Sequence, residues 1–109
     1  MTFEEYQIAS RKTALYPEIG SSIVYPMLGL AGEAGELSNK VKKIFRDDGG
    51  VITDERKEQL IGELGDILWY TAQIAAEIGV PFDEVAHANI KKLASRMERN
   101  TLNGAGDVR

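Results

Sequence analysis

The chain of 109 residues contains no cysteine, a single histidine and a single tryptophan. The lack of cysteine excludes disulfides and thiolate chemistry. A block of basic residues is also missing, and the formal net charge is −4 with a sequence pI near 5.0. Binding of nucleic acid through simple electrostatics is therefore not expected. A small anionic ligand remains compatible with this charge if metal ions offset the acids locally.

Long apolar runs are missing as well. The longest mostly apolar stretch, residues 67–76, is interrupted by polar residues and is too short to span a bilayer. The first residues are acidic and carry no apolar run, so we do not expect a signal peptide. A hydrophobic content of 43% with 28% charged residues is ordinary for one small folded domain. We expect no membrane partner and a cytoplasmic location.

The local patterns predict helices throughout. No segment alternates with period two, and no hairpin turn joins two strand-like runs. Helices are predicted at about residues 2–15, from between 23 and 27 to about 46, from 53 to about 78, and from 81 to about 99. Thr2 and Thr53 have the pattern of N-caps, and Gly79 with Pro81 separates the last two helices. The expected fold is an all-α, small four-helix bundle over residues 1–99, followed by a flexible C-terminal tail at 100–109.

One motif occurs twice, at a spacing of 30 residues. Residues 32–37 read Gly-Glu-Ala-Gly-Glu-Leu, and residues 62–67 read Gly-Glu-Leu-Gly-Asp-Ile. In each copy the two acids are three positions apart, so they project from nearly the same face of a helix. Two such helices packed together would gather four carboxylates, which would repel one another unless a divalent cation lay between them. These acids are Glu33, Glu36, Glu63 and Asp66.

The glycines of this motif argue against a merely solvated acidic face, which is the competing interpretation. Each glycine inside a helix costs about 0.8–1 kcal/mol relative to alanine, so four cost about 3–4 kcal/mol. This cost predicts either a close approach of backbones or room for a ligand. Oxygen ligands without cysteine or a suitably placed histidine favour a hard cation, Mg²⁺ or Mn²⁺. Such ions commonly serve phosphoryl chemistry.

Two aromatic residues follow the second copy of the motif. Tyr70 lies four residues after Asp66 on the same helical face, and Trp69 is beside it. Either ring could contact a nucleobase, or both could be ordinary core residues.

Three polar residues on the predicted fourth helix share one edge: Asn89, Lys92 and Arg96. An amide and two cations suit contacts with phosphate and sugar, although surface salt bridges would explain them as well. Lys40 and Lys43 could likewise pair with the acids or with a phosphate, or could simply be solvated. His87 follows Glu84 in a Glu-x-x-His pattern, but a di-iron site would need a second such motif facing the core, so we expect His87 to be exposed.

The doubled acidic motif resembles the MazG family of all-α nucleoside triphosphate pyrophosphohydrolases. Residues 29–37 and 63–70 are both similar to MazG-like sequences, and so are residues 89–96. The resemblance covers about residues 23–99.

The resemblance implies hydrolysis of an NTP or dNTP between the α and β phosphates, which gives the monophosphate and pyrophosphate. It implies Mg²⁺ ligation by the four acids, with Glu33 or Glu36 orienting or deprotonating the attacking water. Nucleotide contacts by Tyr70, Asn89, Lys92, Arg96 and Trp69 would follow, as would assembly as a homodimer or a dimer of dimers (a homotetramer). A small bundle has little concave surface, so a pocket between subunits would suit a nucleotide. The alternative is a non-catalytic helical module that senses nucleotides or binds another protein.

Overall fold

The computed structural model describes residues 1–99, which form four α-helices. Helix α1 spans Phe3–Arg11, α2 spans Val24–Asp47, α3 spans Asp54–Glu77 and α4 spans Phe82–Glu98. No strand occurs in this part of the chain, so the predicted all-α fold is confirmed. The predicted tail at 100–109 lies outside the described residues, and the domain boundary at residue 99 stays a prediction. Within residues 1–99, no helix is long and apolar enough to cross a membrane.

The predicted helix caps are present. Thr2 Oγ1 accepts a hydrogen bond from the Glu5 amide at 3.0 Å, and the Glu5 carboxylate accepts one from the Thr2 amide at 3.1 Å. This reciprocal pair satisfies two amides that the first turn of α1 leaves without helical partners. Thr53 caps α3 through a single hydrogen bond, which its Oγ1 accepts from the Arg56 amide at 3.2 Å. Gly79, with φ of +73°, follows the end of α3, where glycine tolerates the left-handed conformation.

Helix α1 ends at Arg11, four residues earlier than predicted. The Thr13 hydroxyl donates to the Ser10 carbonyl at 2.7 Å, and the Thr13 amide donates to the same carbonyl, so the chain leaves the helix in a tight turn. The turn buries Tyr16 while Leu15 is 92% exposed. The turn also contacts distant residues, since Thr13 accepts a hydrogen bond from Trp69 and Tyr16 donates one to Glu77.

Helices α2 and α3 form a long antiparallel hairpin, and α3 is the element that joins the rest. Within residues 1–99, α2 packs against α3 alone, whereas α3 also packs against α1 and α4. The C-terminal half of α3 is the best covered part, since Ala72 and Ala75 are buried beside Phe82 of α4. Tyr6 of α1 packs against the same cluster. The N-terminal half of α3 is covered by α2 only.

Gln7 fastens the turn between α3 and α4. Its amide nitrogen donates to the Val80 carbonyl at 3.1 Å, and its amide oxygen accepts from the Phe82 amide at 3.0 Å. Phe82 is buried, but other apolar residues of α4 are exposed, namely Val85, Leu93 and Met97, of which Met97 is 72% exposed. A single chain therefore leaves much of α4 uncovered.

The motif glycines do not provide a close approach between α2 and α3. A Cβ atom built on any of the four motif glycines would meet no atom within 4 Å: Gly32, Gly35, Gly62 and Gly65. The close approach occurs at Gly29 instead, where a Cβ would lie 2.2 Å from Cε1 of Tyr70. The ring of Tyr70 rests directly on the backbone of α2, and only glycine leaves room for it.

Gly29→Ala should destabilise the fold by about 1–3 kcal/mol, because its methyl group would force the Tyr70 ring away from α2. The matched control is Gly32→Ala on the same helix, where open space should allow a gain of up to about 1 kcal/mol from helix propensity. Urea denaturation followed by circular dichroism measures both. Equal unfolding midpoints for the two variants would contradict this interpretation of Gly29.

Candidate metal and nucleotide site

Three of the four motif acids meet between α2 and α3. Glu33, Glu63 and Asp66 each offer a carboxylate oxygen, and these oxygens all lie within 4.8 Å of one another. Glu33 and Glu63 are half-buried, whereas Asp66 is exposed at the edge of the group. We call these residues the acidic cluster.

Hydrogen bonding and nearby charges shift the pKa values of Glu33 and Glu63 in opposite directions. The pKa of Glu33 is raised because its carboxyl group shares a hydrogen bond with Glu63, and burial and the charge of Asp66 raise it further. The pKa of Glu63 is lowered by that same hydrogen bond and by one from Lys40. The pKa values of these two neighbouring carboxyl groups are therefore shifted in opposite directions.

The donor set of the acidic cluster fits a hard divalent cation. Oε2 of Glu63 is buried, and no N–H or hydroxyl group of the described residues donates a hydrogen bond to it. A buried carboxylate oxygen without a donor is costly, and a cation would satisfy it. Oxygen-only donors at this separation suit Mg²⁺ or Mn²⁺.

Glu36 is not part of the acidic cluster. It lies one helical turn after Glu33 and is exposed, yet its charge contributes to the raised pKa of Glu33. The fourth predicted acid therefore borders the cluster without joining it.

Lys40 occupies the interface between the two helices and pairs with the acidic cluster. Its Nζ lies 3.1 Å from Oε1 of Glu63, with the lysine side chain 30% and the glutamate side chain 14% exposed. Of the interpretations open for Lys40, pairing with the acids is the one observed. Lys43 is exposed and makes no ion pair among the described residues.

Four aromatic side chains pack together beside the acidic cluster. The Tyr16 ring stacks on Tyr25 at 5.3 Å and meets Trp69 edge-on at 6.3 Å, and Trp69 meets Tyr70 edge-on at 5.1 Å. We call these four residues the aromatic cluster. Burial raises the pKa of Tyr70, and the charges of Tyr25, Glu33 and Asp66 raise it further. The aromatic cluster therefore adjoins the acidic cluster.

The three predicted contact residues on α4 do not join these clusters in a single chain. Asn89 and Lys92 line a cavity of about 430 Å³ together with Val80 and Val85, and no residue of the acidic cluster lines it. Arg96 is buried, with 3% of its surface exposed. Their predicted roles stay predictions. His87 is exposed, as expected.

A buried ion pair adjoins Tyr16 of the aromatic cluster, and no sequence motif pointed to it. The Glu77 side chain is 1% exposed, and its Oε2 accepts hydrogen bonds from three donors: Arg11 Nη2 at 2.9 Å, Tyr16 Oη at 2.5 Å and the Gly20 amide at 3.0 Å. We call this arrangement the Glu77 clamp. Its members are 57 or more residues from Glu77 in the chain, so no local pattern could have linked them.

The structure is an all-α protein whose helical hairpin gathers carboxylates between its two helices, an arrangement that could hold a divalent cation. The match with known families is more specific. The MazG nucleotide pyrophosphohydrolase domain matches residues 25–100, which is more than half of the chain. The chain therefore belongs to the MazG family.

A phage protein is similar over the full length. "Gene 37 protein" of Mycobacterium phage L5 is 46% identical over 114 aligned positions, which cover 100% of both chains. No solved structure matches significantly.

The Glu77 clamp makes stability depend on pH. Burial alone would raise the pKa of Glu77, but the hydrogen bonds from Tyr16, Gly20 and Arg11 prevail and lower it from 4.5 to about 2. A lowered folded-state pKa gives stability that is complete above about pH 4.5 and is lost as the pH falls toward 2.

Glu77→Gln should therefore lower stability at pH 7 by about 1.5–3 kcal/mol, the range for hydrogen bonds to charged groups. The difference from the parent chain should shrink at pH 3, because glutamine has no charge to lose. Thermal denaturation at both pH values measures it. A difference that is the same at pH 3 and pH 7 would contradict the assigned pKa.

Proposed function

We propose that the chain hydrolyses nucleoside or deoxynucleoside triphosphates between the α and β phosphates, with Mg²⁺ as cofactor. The observation that carries this proposal is the acidic cluster in a chain that belongs to the MazG family. Glu33, Glu63 and Asp66 would hold the cation, and Mn²⁺ could replace Mg²⁺ because both prefer oxygen ligands. The bound cation would offset phosphate charge and the mutual repulsion of the acids.

The chain's own residues would position the substrate and the water. Water adds to a phosphorus of the α–β anhydride, the bond to the bridging oxygen breaks, and a carboxylate takes the proton of the water. Glu36 suits this last role better than Glu33, since its carboxylate borders the acidic cluster without being one of the three gathered groups. Lys40 would keep Glu63 ionised and in place.

The aromatic cluster suits the nucleobase. Tyr70 and Trp69 lie immediately beyond Asp66 on α3, so a triphosphate at the acidic cluster would bring its nucleoside toward these rings. Asn89, Lys92 and Arg96 lie away from the acidic cluster within one chain. They would contact the nucleotide only if another subunit supplied them or if the end of the nucleotide far from the cation reached them.

Glu63→Gln and Asp66→Asn should each lower the rate of pyrophosphate release by about 100-fold or more, since each removes a charged ligand of the cation. Glu58→Gln is the matched control, because it removes an exposed acid from the same helix. A screen of NTPs and dNTPs with Mg²⁺, with identification of monophosphate and pyrophosphate, provides the assay.

Full activity in both variants would overturn the site assignment. Calorimetric titration with Mg²⁺ and a non-hydrolysable dNTP separates the remaining cases. Binding without turnover would favour the alternative, a nucleotide sensor. In Glu36→Gln, loss of turnover with unchanged Mg²⁺ affinity would support Glu36 as the proton acceptor.

We also propose that the chain works as a homodimer or a homotetramer. The α2–α3 hairpin exposes apolar side chains that helical spacing places on the side opposite Glu36 and Asp66. They are Met27, Val41 and Phe45 on α2, and Ile61, Leu64 and Leu68 on α3, with exposures between 38% and 80%. A continuous apolar face of this kind is typical of subunit interfaces.

Leu64→Glu should weaken self-association roughly 10- to 100-fold, because it places a charge within an apolar interface. Lys43→Glu, which changes charge on another face of the hairpin, is the control. Light scattering after size exclusion, over a range of protein concentrations, gives the mass. An unchanged mass for Leu64→Glu would contradict this face as the interface.

A further inference from the structure

The segment between α1 and α2 is held in place by one buried carboxylate. Glu77 Oε2 bonds Arg11 of α1 and then both Tyr16 and Gly20 of the connecting segment. Arg11 is tied further into the interior, because its Nη1 donates to Tyr16 Oη at 2.7 Å and to Gln73 Oε1 at 3.2 Å. The fully buried Gln73 in turn donates to Ser10 at 3.0 Å. Glu77 therefore fixes where this segment lies on α3.

The same segment contacts Trp69 at two points. Trp69 Nε1 donates to Thr13 Oγ1 at 2.8 Å, and the indole meets the Tyr16 ring edge-on. Tyr16 also stacks on Tyr25 with an interplanar angle of 5°. A shift of Tyr16 would thus change the environment of Trp69 and the position of Tyr25 together.

These contacts connect the Glu77 clamp to the candidate nucleotide site. Trp69 packs on Tyr70, whose ring lies over Gly29 and within the electrostatic influence of Glu33 and Asp66. Tyr16 belongs to both the clamp and the aromatic cluster, and Tyr70 joins the aromatic cluster to the acidic cluster. Arg11, Tyr16 and Gly20 all precede residue 25, where the match with the MazG family begins.

We propose that Glu77 is a positioning residue for the nucleobase, acting through Tyr16 to set the geometry of the aromatic cluster. This inference rests on the proposed function, since it assumes that a nucleotide places its base against these rings. Glu77 itself touches no substrate, because its side chain is buried behind Tyr16. The role predicts an effect on nucleotide binding with none on the cation, whose ligands lie beyond the aromatic cluster.

Two variants test the role. Glu77→Gln removes the charge at nearly constant size. Tyr16→Phe removes one donor to Glu77 and keeps the ring that stacks on Tyr25, so it guards against a failure of Glu77→Gln to fold. Ile44→Val is the control for lost stability, because Ile44 is buried in α2 near its end at Asp47 and takes no part in the hydrogen bonds of the clamp.

Trp69 is the only tryptophan, so its fluorescence reports on the aromatic cluster without interference. Both clamp variants should increase acrylamide quenching of Trp69 and raise KM for the preferred nucleotide roughly tenfold, the equivalent of one charge-assisted hydrogen bond. We expect kcat within about twofold of the parent, which marks a loss of binding alone. The Mg²⁺ affinity of the clamp variants, measured by calorimetry, should remain at the parent value, and so should KM, kcat and the quenching of Trp69 in Ile44→Val.

The outcomes separate this inference from the proposed function. Unchanged KM in both clamp variants, in an active parent chain, overturns the positioning role and leaves Glu77 a purely structural residue. An equal rise of KM in Ile44→Val overturns it too, by tracing the effect to stability. A parent chain that neither binds nor hydrolyses nucleotides overturns the proposed function and the positioning role with it, whatever the Trp69 signal shows of the clamp.

Discussion

The packing of α2 against α3 places carboxylates inside a helix–helix interface, and the rest of the structure depends on how their charge is offset. Glu33 and Glu63 lie close enough to share a proton, and Lys40 compensates only one of them. An interface with unbalanced like charges is an expensive way to join two helices. The arrangement makes physical sense as a binding site whose ligand supplies the missing positive charge.

The distribution of burial follows from the same hairpin. Helices α1 and α4 cover the C-terminal half of α3. Small residues there, such as Ala72 and Ala75, allow tight packing around Phe82. The N-terminal half has only α2 as a neighbour, so both the acids and a broad apolar face are left accessible. One part of α3 thus provides stability, and the other presents the surfaces that we propose for a ligand and for a second subunit.

The buried carboxyl group of Glu77 and the half-buried carboxyl group of Glu33 have pKa shifts in opposite directions. Oε2 of Glu77 accepts hydrogen bonds from Arg11, Tyr16 and Gly20, and these outweigh burial although Oε1 has no partner among the described residues, so the pKa of Glu77 is low. Glu33 and Glu63 face one another without enough donors, so the pKa of Glu33 is high. A carboxylate whose charge is offset by nearby donors helps to hold the chain together, whereas one that faces other carboxylates is suited to bind a cation.

The sequence alone determined the helices and the family, because caps, glycines and apolar spacing act locally and the doubled acidic motif is written in linear order. It predicted that Glu33, Glu63 and Asp66 would meet, since a helical hairpin brings matching positions together. Only the tertiary structure decided that Glu36 stays outside the group, that Gly29 rather than the motif glycines receives a side chain, and that α1 stops at Arg11. The positions of Glu36 and Gly29 depend on how one helix is rotated against the other. The end of α1 is accompanied by contacts with residues distant in sequence, such as Trp69. Local spacing encodes neither the rotation nor the distant contacts.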